Sequence, residues 1–126
     1  LMKPYFDLRE NPGIGRRIID EQTAGQVTNM MIGAVNKAGI AKIKNYAVAG
    51  KTGTAQIPDF KKGGYTEEFI HTFAGFAPAF NPRFAILVKF DRPKIGPLAG
   101  VTVVPAFREL AEFMLNYYNV PPDKPE

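Results

Sequence analysis

The chain of 126 residues contains no cysteine, no tryptophan and no serine. The absence of cysteine excludes disulfides and thiolate metal sites. The absence of serine, which is among the commonest residues in proteins, excludes a serine nucleophile within this chain. No apolar run approaches the ~20 residues that a membrane-spanning helix needs, so we expect no membrane contact by this segment.

Histidine is nearly absent as well, since His71 is the only one. A lone histidine cannot build a metal site, and no carboxylate stands at ligand spacing from it. General-base catalysis requires a partner that positions the imidazole. We therefore expect no metal and no cofactor, and a structural or exposed role for His71.

The residues that are present have an ordinary globular composition, with 45% hydrophobic and 22% charged residues. The length suffices for one small domain with a modest core. The net charge is +4, but the basic residues are scattered along the chain. Since nucleic-acid binding proteins concentrate basic residues in a patch or stripe, we expect no nucleic-acid partner.

Hydrophobic periodicity predicts two helices and three strands. Apolar residues at helical spacing predict a helix over residues 21–38, with Asp20 or Thr23 as its N-cap and Gly39 at its end. A second apolar stripe predicts a helix over residues 104–118, with Pro105 in its first turn.

Strands are predicted over residues 46–56, 69–77 and 84–91, joined by short connections that favour an antiparallel meander. The continuous apolar run of the third strand is typical of a strand covered on both faces. Residues 1–19 are predicted to be an extended segment and loop, 92–100 a loop, and 119–126 an irregular tail. The order predicts an α/β (α+β) fold, an antiparallel sheet packed by helices.

The first strand contains a lysine, two threonines and two glycines in its middle, Gly50-Lys51-Thr52-Gly53-Thr54. Glycine weakens a strand interior, which suggests close approach by a ligand or another backbone. Strand alternation puts both threonines on one side and Lys51 on the other, so all three serve one site only if the strand edge faces a cleft. An ammonium and two hydroxyls suit a carboxylate, and a free backbone N–H on such an edge suits an oxyanion.

Two other interpretations fit part of this pattern. Residues 50–54 could be an exposed strand with a lysine reaching into solvent and threonines that favour strand structure. A phosphate-binding loop needs a glycine five positions before the Gly-Lys-Thr triplet. That position holds Asn45, and the segment continues as a strand rather than a helix.

Lys-Thr-Gly is also the third motif of the penicillin-recognising serine enzymes. Residues 47–56, AVAGKTGTAQ, closely resemble the corresponding strand of class B penicillin-binding proteins. Five further segments resemble the same family in the same order: Met2-Lys3-Pro4-Tyr5 and residues 21–24, 73–79, 81–84 and 100–107. The resemblance implies that residues 1–126 are the C-terminal part of a transpeptidase domain with a partial penicillin-binding, serine β-lactamase-like fold.

The resemblance assigns roles to the motif residues. Lys51 would lie beside the acylated serine and assist proton transfer, and the hydroxyls of Thr52 and Thr54 would hold the carboxylate of a β-lactam or peptide. Gly53 would let the strand approach the ligand, and the Thr54 backbone N–H would form half of the oxyanion hole. The implied reaction is acyl transfer that cross-links peptidoglycan stem peptides, so the implied ligands are those peptides and β-lactams.

The sequence also departs from the family pattern. The S-x-x-K and S-x-N motifs that precede the Lys-Thr-Gly strand are both missing, and Leu98 and Ala99 stand where relatives often carry aromatic residues. We therefore expect a piece of a longer, membrane-anchored protein of the bacterial cell envelope, on the extracytoplasmic face of the plasma membrane. We expect this piece to be inactive without the N-terminal part of the same protein. A β-lactam sensor and a serine β-lactamase fragment remain as alternatives.

Overall fold

The structure, a computed structural model, describes residues 19–124. Its elements follow in the order α1 (Glu21–Ala38), β1 (Ala49–Pro58), β2 (Tyr65–Ala77), β3 (Phe84–Asp91) and α2 (Ala99–Tyr117). The helix–strand–strand–strand–helix order is the one predicted, and the α+β class is confirmed. The predictions for residues 1–18, including the resemblance at Met2 to Tyr5, and for residues 125–126 lie outside the described residues.

Helix α1 has the predicted bounds because both of its ends carry local signals. The Thr23 backbone N–H donates to Asp20 Oδ1 at 2.6 Å, which identifies Asp20 as the N-cap. Gly39 ends the helix with φ of 82°, and its N–H donates to Val35 O at 2.9 Å. The predicted apolar stripe is packed only in part: Val35 is buried, whereas Met30 is 66% exposed.

The three strands form an antiparallel meander in the order β1-β2-β3, as predicted. The register places Thr52 opposite Phe73, and Phe73 opposite Val88. Paired residues of adjacent strands point to the same face of a sheet, so this register decides which side chains share a face with the Lys-Thr-Gly motif.

Strands β1 and β2 differ from their predicted bounds. Strand β1 begins at Ala49 rather than at residue 46, because the preceding backbone bonds to other elements, as in Ala47 N–H to Asp123 Oδ1 at 2.7 Å. Strand β2 begins at Tyr65 rather than at residue 69 because Tyr65 pairs with Pro58 near the hairpin turn.

Strand β3 has the predicted bounds, but it is covered on one face only. Ile86 is 9% exposed on the face toward α2, whereas the neighbouring Leu87 is 68% exposed on the other. Among residues 19–124 no helix covers Leu87, so the prediction of a strand covered on both faces is wrong for the described structure.

Helix α2 begins at Ala99, five residues before its predicted start. Its N-cap, Leu98, makes no side-chain capping hydrogen bond, so no capping residue marks the start in the sequence. Pro105 consequently lies inside the helix rather than in its first turn, and that part of the prediction is wrong.

The main core lies between α2 and the sheet. The Phe73 and Phe107 rings are both buried, with centroids 4.5 Å apart. Gly75 permits this contact, since a Cβ there would come within 2.7 Å of the Phe107 ring. In residues 19–124, neither helix combines the length and hydropathy that crossing a membrane requires.

Candidate active site

The Lys-Thr-Gly motif lies on an edge strand. Among the described residues β1 pairs with β2 alone, and its opposite edge has no neighbouring strand. The Lys51–Thr54 segment lies within the part of β1 that pairs with β2 in continuous register. In this part of the chain β1 thus offers an open edge, which is one part of the condition that strand alternation sets.

The register separates the motif side chains as alternation predicts. Thr52 is opposite Phe73 and Thr54 is opposite His71, on the face that α2 covers. Both threonines are nevertheless exposed, because they lie on the outermost strand. Their hydroxyls are thus two residues apart on one face and accessible to a ligand.

Lys51 belongs to the other face, opposite Ala74. Its side chain bends back over its own strand, so that Nζ donates to Thr52 O at 2.9 Å. Within residues 19–124, Lys51 forms no ion pair. An exposed ammonium without a carboxylate partner among residues 19–124 is a group that attracts an anion.

Charge pairing occurs elsewhere in the described structure. Arg92 donates to Glu68 at 2.9 Å and to Asp91 at 3.0 Å. The hydrogen bond that Arg92 donates to Glu68, followed by the charge of Asp91, raises the pKa of Arg92 above its usual value. These carboxylates are held by Arg92, away from the motif lysine.

A small pocket of about 110 Å³ adjoins the motif between α1, β1 and the start of α2. Lys51 and Thr52 line its β1 side, Ala38 its α1 side and Gly100 its α2 side. Most of the other lining residues are apolar. Gly50, Lys51 and Thr52 therefore face a concave surface, whereas Gly53 and Thr54 do not line it.

The two glycines of the motif owe their presence to contacts within the sheet. A Cβ at Gly50 would overlap the Phe73 ring, and a Cβ at Gly53 would overlap the Thr72 hydroxyl. Both neighbours are side chains of β2. The sequence suggested close approach by a ligand or another backbone; within the described structure the close neighbours are these two side chains.

His71 is buried and structural, one of the two outcomes expected for it. Its Nδ1 lies 2.8 Å from Thr102 Oγ1, which also donates to Ala99 O at 3.3 Å. Its Nε2 is buried without a hydrogen-bond partner in the described structure. Because the ring has no contact with solvent, His71 is unsuited to general-base catalysis and instead links β2 to α2.

The described residues offer nothing that could serve as a serine or cysteine nucleophile, since the sequence has neither residue. No group of three or more metal-ligating side chains comes together in residues 19–124. The groups that the site does offer, an ammonium and two hydroxyls, suit recognition of an anion.

Sequence reasoning missed the contacts that hold the motif strand in place. The Tyr46 hydroxyl donates a hydrogen bond to Val120 O, and the Asp123 carboxylate accepts one from the Ala47 N–H. The Ala47–Asp123 pair is separated by 76 positions in the sequence. No local pattern marks such a pair, so only the folded structure identifies it.

Comparison with known proteins gives consistent matches. The family model described as the penicillin-binding protein transpeptidase domain matches residues 1–112. The chain is 37% identical over 116 residues to the probable peptidoglycan D,D-transpeptidase PenA of Neisseria meningitidis, covering 88% of this chain and 20% of PenA.

Solved structures agree. The transpeptidase domain of penicillin-binding protein 3 from Burkholderia pseudomallei matches with a TM-score of 0.76 and 32% identity, over 88% of this chain and 34% of that one. Penicillin-binding protein 3 from Mycobacterium tuberculosis, in complex with ampicillin, matches with a TM-score of 0.77 and 32% identity, over 87% of this chain and 27% of that one. The chain thus spans about a fifth of the length of PenA and about a third of the Burkholderia domain. With a family match over residues 1–112 and the Lys-Thr-Gly strand on an open sheet edge, the chain belongs to the transpeptidase domain family of class B penicillin-binding proteins.

Proposed function

We propose that this chain is the C-terminal part of the transpeptidase domain of a peptidoglycan D,D-transpeptidase, with residues 1–126 in one domain and the nucleophile in the preceding part. The observation that carries the proposal is the exposed Lys51–Thr54 segment on the free edge of β1. A carboxylate-bearing ligand can approach this edge and meet an ammonium and two hydroxyls within four residues.

The proposed roles follow from this arrangement and the family resemblance. The Thr52 and Thr54 hydroxyls, together on one face, donate to the carboxylate of the stem peptide or of a β-lactam. Lys51 has no carboxylate partner among residues 19–124, so its charge is available to the reacting centre. The Thr54 backbone N–H stabilises the oxyanion. Gly53 has no side chain and so lets the strand approach the ligand closely.

The chemistry is a double displacement. A serine hydroxyl of the preceding part attacks the carbonyl between the two terminal D-Ala residues, losing its proton as D-Ala leaves as the amine. An amine of a neighbouring stem peptide then attacks the ester, the peptide cross-link forms and the serine oxygen regains a proton. A β-lactam acylates the same serine by opening of its ring. The M. tuberculosis structure in complex with ampicillin supports β-lactams as ligands.

The proposal includes a location. Peptidoglycan is assembled outside the cytoplasm, so the whole protein would work at the extracytoplasmic face of the bacterial plasma membrane. The curated relatives and solved structures named above are a transpeptidase and penicillin-binding proteins. They do not favour the sensor or the β-lactamase alternative.

The test of this function uses the full-length protein that contains this chain. Lys51→Ala should lower the rate constant of acylation by a fluorescent penicillin by about 100-fold or more, because general acid–base groups contribute about that much. Lys89→Ala removes the same charge from an exposed site on β3 and should leave the rate unchanged. An unaltered rate in the Lys51 variant would refute the role of the motif.

Thr54 provides an independent test of carboxylate recognition. Thr54→Val removes the hydroxyl at nearly constant volume and should weaken binding of the same penicillin, whereas Thr54→Ser keeps the hydroxyl and should bind it nearly as the wild type does. Equal affinity of the valine and serine variants would show that the hydroxyl does not hold the carboxylate.

A further inference from the structure

The segment that follows α2 is closely bound to the molecule although it has no regular secondary structure. We call residues 119–124 the C-terminal strap. Its Val120 is 6% exposed and joins the main core. The Val120 N–H donates to Leu115 O at 2.9 Å, which turns the chain back from the end of α2. Residues 119–124 form no helix or strand, yet these contacts hold the strap against the rest of the molecule.

The strap bonds to the residues that lead into the motif strand. Tyr46 Oη donates to Val120 O at 2.6 Å, and the Lys124 N–H donates to Asn45 O at 3.1 Å. Asp123 Oδ1 accepts from the Ala47 N–H at 2.7 Å. Three successive residues, 45–47, are therefore held by the strap.

Asp123 also reaches the turn between β2 and β3. Its Oδ2 accepts a longer hydrogen bond from the Phe80 N–H, at 3.5 Å. The neighbouring Ala79 N–H donates to Ala47 O at 2.8 Å. Both backbone polar groups of Ala47 are thus satisfied, the N–H by the strap and the C=O by this turn.

The Ala47 N–H depends on Asp123 for two reasons. Ala47 is 5% exposed, so water cannot easily replace a lost acceptor. Residues 45–47 precede β1, so no strand pairs with them in continuous register, and Asn45 has φ of 66°, which turns the chain there. An ionised carboxylate is a strong acceptor for a backbone N–H, which makes this contact a firm anchor.

We propose that Asp123 is a positioning residue for the Lys-Thr-Gly strand. Ala47 lies two residues before the start of β1 and four residues before Lys51, and β1 has a strand on one side only in the described structure. Asp123 fixes the residues that lead into β1, which no strand pairs, and with them the place of Lys51 and Thr52 beside the reacting groups. This inference rests on the proposed function, since the effect on acylation requires a transpeptidase site.

The test compares four forms of the full-length protein: wild type, Asp123→Ala, Asp123→Asn and the control Glu109→Ala, which removes an exposed carboxylate of α2. Acylation by a fluorescent penicillin is timed at a temperature where circular dichroism shows all four forms folded. Asp123→Ala should acylate about 10- to 100-fold more slowly, since small misplacements of reacting groups cost about that much. Asp123→Asn keeps an oxygen acceptor for the Ala47 N–H and should recover most of the rate, while Glu109→Ala should match the wild type.

Hydrogen exchange of the peptide covering residues 47–54 is measured on the same proteins. In Asp123→Ala the amides of residues 47–54 should exchange faster than in the wild type, whereas exchange in α1 should not change. A wild-type acylation rate in Asp123→Ala overturns the inference, and so does an equal loss of rate in the alanine and asparagine variants. Unchanged exchange in residues 47–54 overturns the anchor itself. If the wild type is not acylated at all, the proposed function fails, and the exchange experiment still decides whether Asp123 anchors the strand.

Discussion

At the scale of single residues, packing within the sheet restricts which residue types the motif strand can contain. Gly50 lies against the Phe73 ring, which is 3% exposed and packs against Phe107. On its other side the ring is held by its contact with Phe107, 4.5 Å away between centroids. The glycine is therefore required for the core beneath the site, whatever binds above it.

Gly50→Ala should destabilise the 126-residue chain by about 1–3 kcal/mol, because the added methyl group would overlap the buried Phe73 ring. Gly33→Ala is the matched control: Gly33 lies inside α1 and a Cβ there meets nothing within 4 Å. That change should stabilise the chain by up to about 1 kcal/mol through helix propensity. Urea unfolding of both variants measures the difference, and a neutral Gly50→Ala would contradict the packing account.

His71 makes a second residue-scale prediction. His71→Ala should cost about 2–4 kcal/mol in unfolding free energy because it leaves a cavity under α2. His71→Leu fills most of that space and removes the unpartnered Nε2, while Thr102 keeps its bond to Ala99 O. The leucine variant should therefore unfold at a clearly higher urea concentration than the alanine variant; equal midpoints would argue against this interpretation.

At the scale of elements, local signals determine which boundaries the sequence predicts. Asp20 and Gly39 mark both ends of α1, and the predicted bounds agree with the structure. Leu98 provides no cap, and the start of α2 is missed by five residues. The start of β1 depends on Asp123, which is 76 positions from Ala47, so a local pattern cannot locate it.

The cap of α1 should make its stability depend on pH. The backbone N–H of Thr23, then its hydroxyl, lowers the pKa of Asp20 below the usual 3.8. Because the folded-state pKa is lowered, the stabilisation is present above pH 3.8 and is lost as the pH falls through the folded-state pKa. Asp20→Asn keeps the cap without a titrating group, so it should retain more helical circular dichroism than the wild type at the acid end. Superimposable acid titrations of the two proteins would show that the Asp20 charge is unimportant.

At the scale of the whole molecule, the described structure exposes apolar surface that a complete domain would be expected to cover. Leu87 is 68% exposed on the face away from α2, and Phe113 and Tyr117 are 62% and 68% exposed on α2. The Phe113 and Tyr117 rings stack at 5.7 Å. Such surface favours association of the chain when it is prepared alone.

We expect the 126-residue chain to associate in light scattering, and Leu87→Lys to reduce that association. The matched control is Val88→Lys, which places the charge on the opposite face, where Val88 packs against the main core. This variant should unfold the chain and should not reduce its association. Monomeric behaviour of the unmodified chain at all concentrations would show that this surface does not drive association.

The residue types of the candidate site, and the division of its side chains between the two faces of the strand, could be predicted from the sequence, whereas their exposure could not. Lys51, Thr52 and Thr54 are recognisable in the sequence because their residue types suit a carboxylate. Their exposure on an edge strand depends on the β1–β2 register and on the lack of a neighbour on the other side among residues 19–124. The bend of Lys51 toward Thr52 O is likewise a feature of the folded chain.

The most direct test of the central claim is intact-mass spectrometry after incubation with a β-lactam. The 126-residue chain and the full-length protein that contains it are treated side by side. The account predicts that only the full-length protein gains the mass of the drug, because the chain carries the Lys-Thr-Gly strand and no serine. Acylation of the chain alone would contradict the absence of a nucleophile, and acylation of neither protein would contradict the assignment as a transpeptidase.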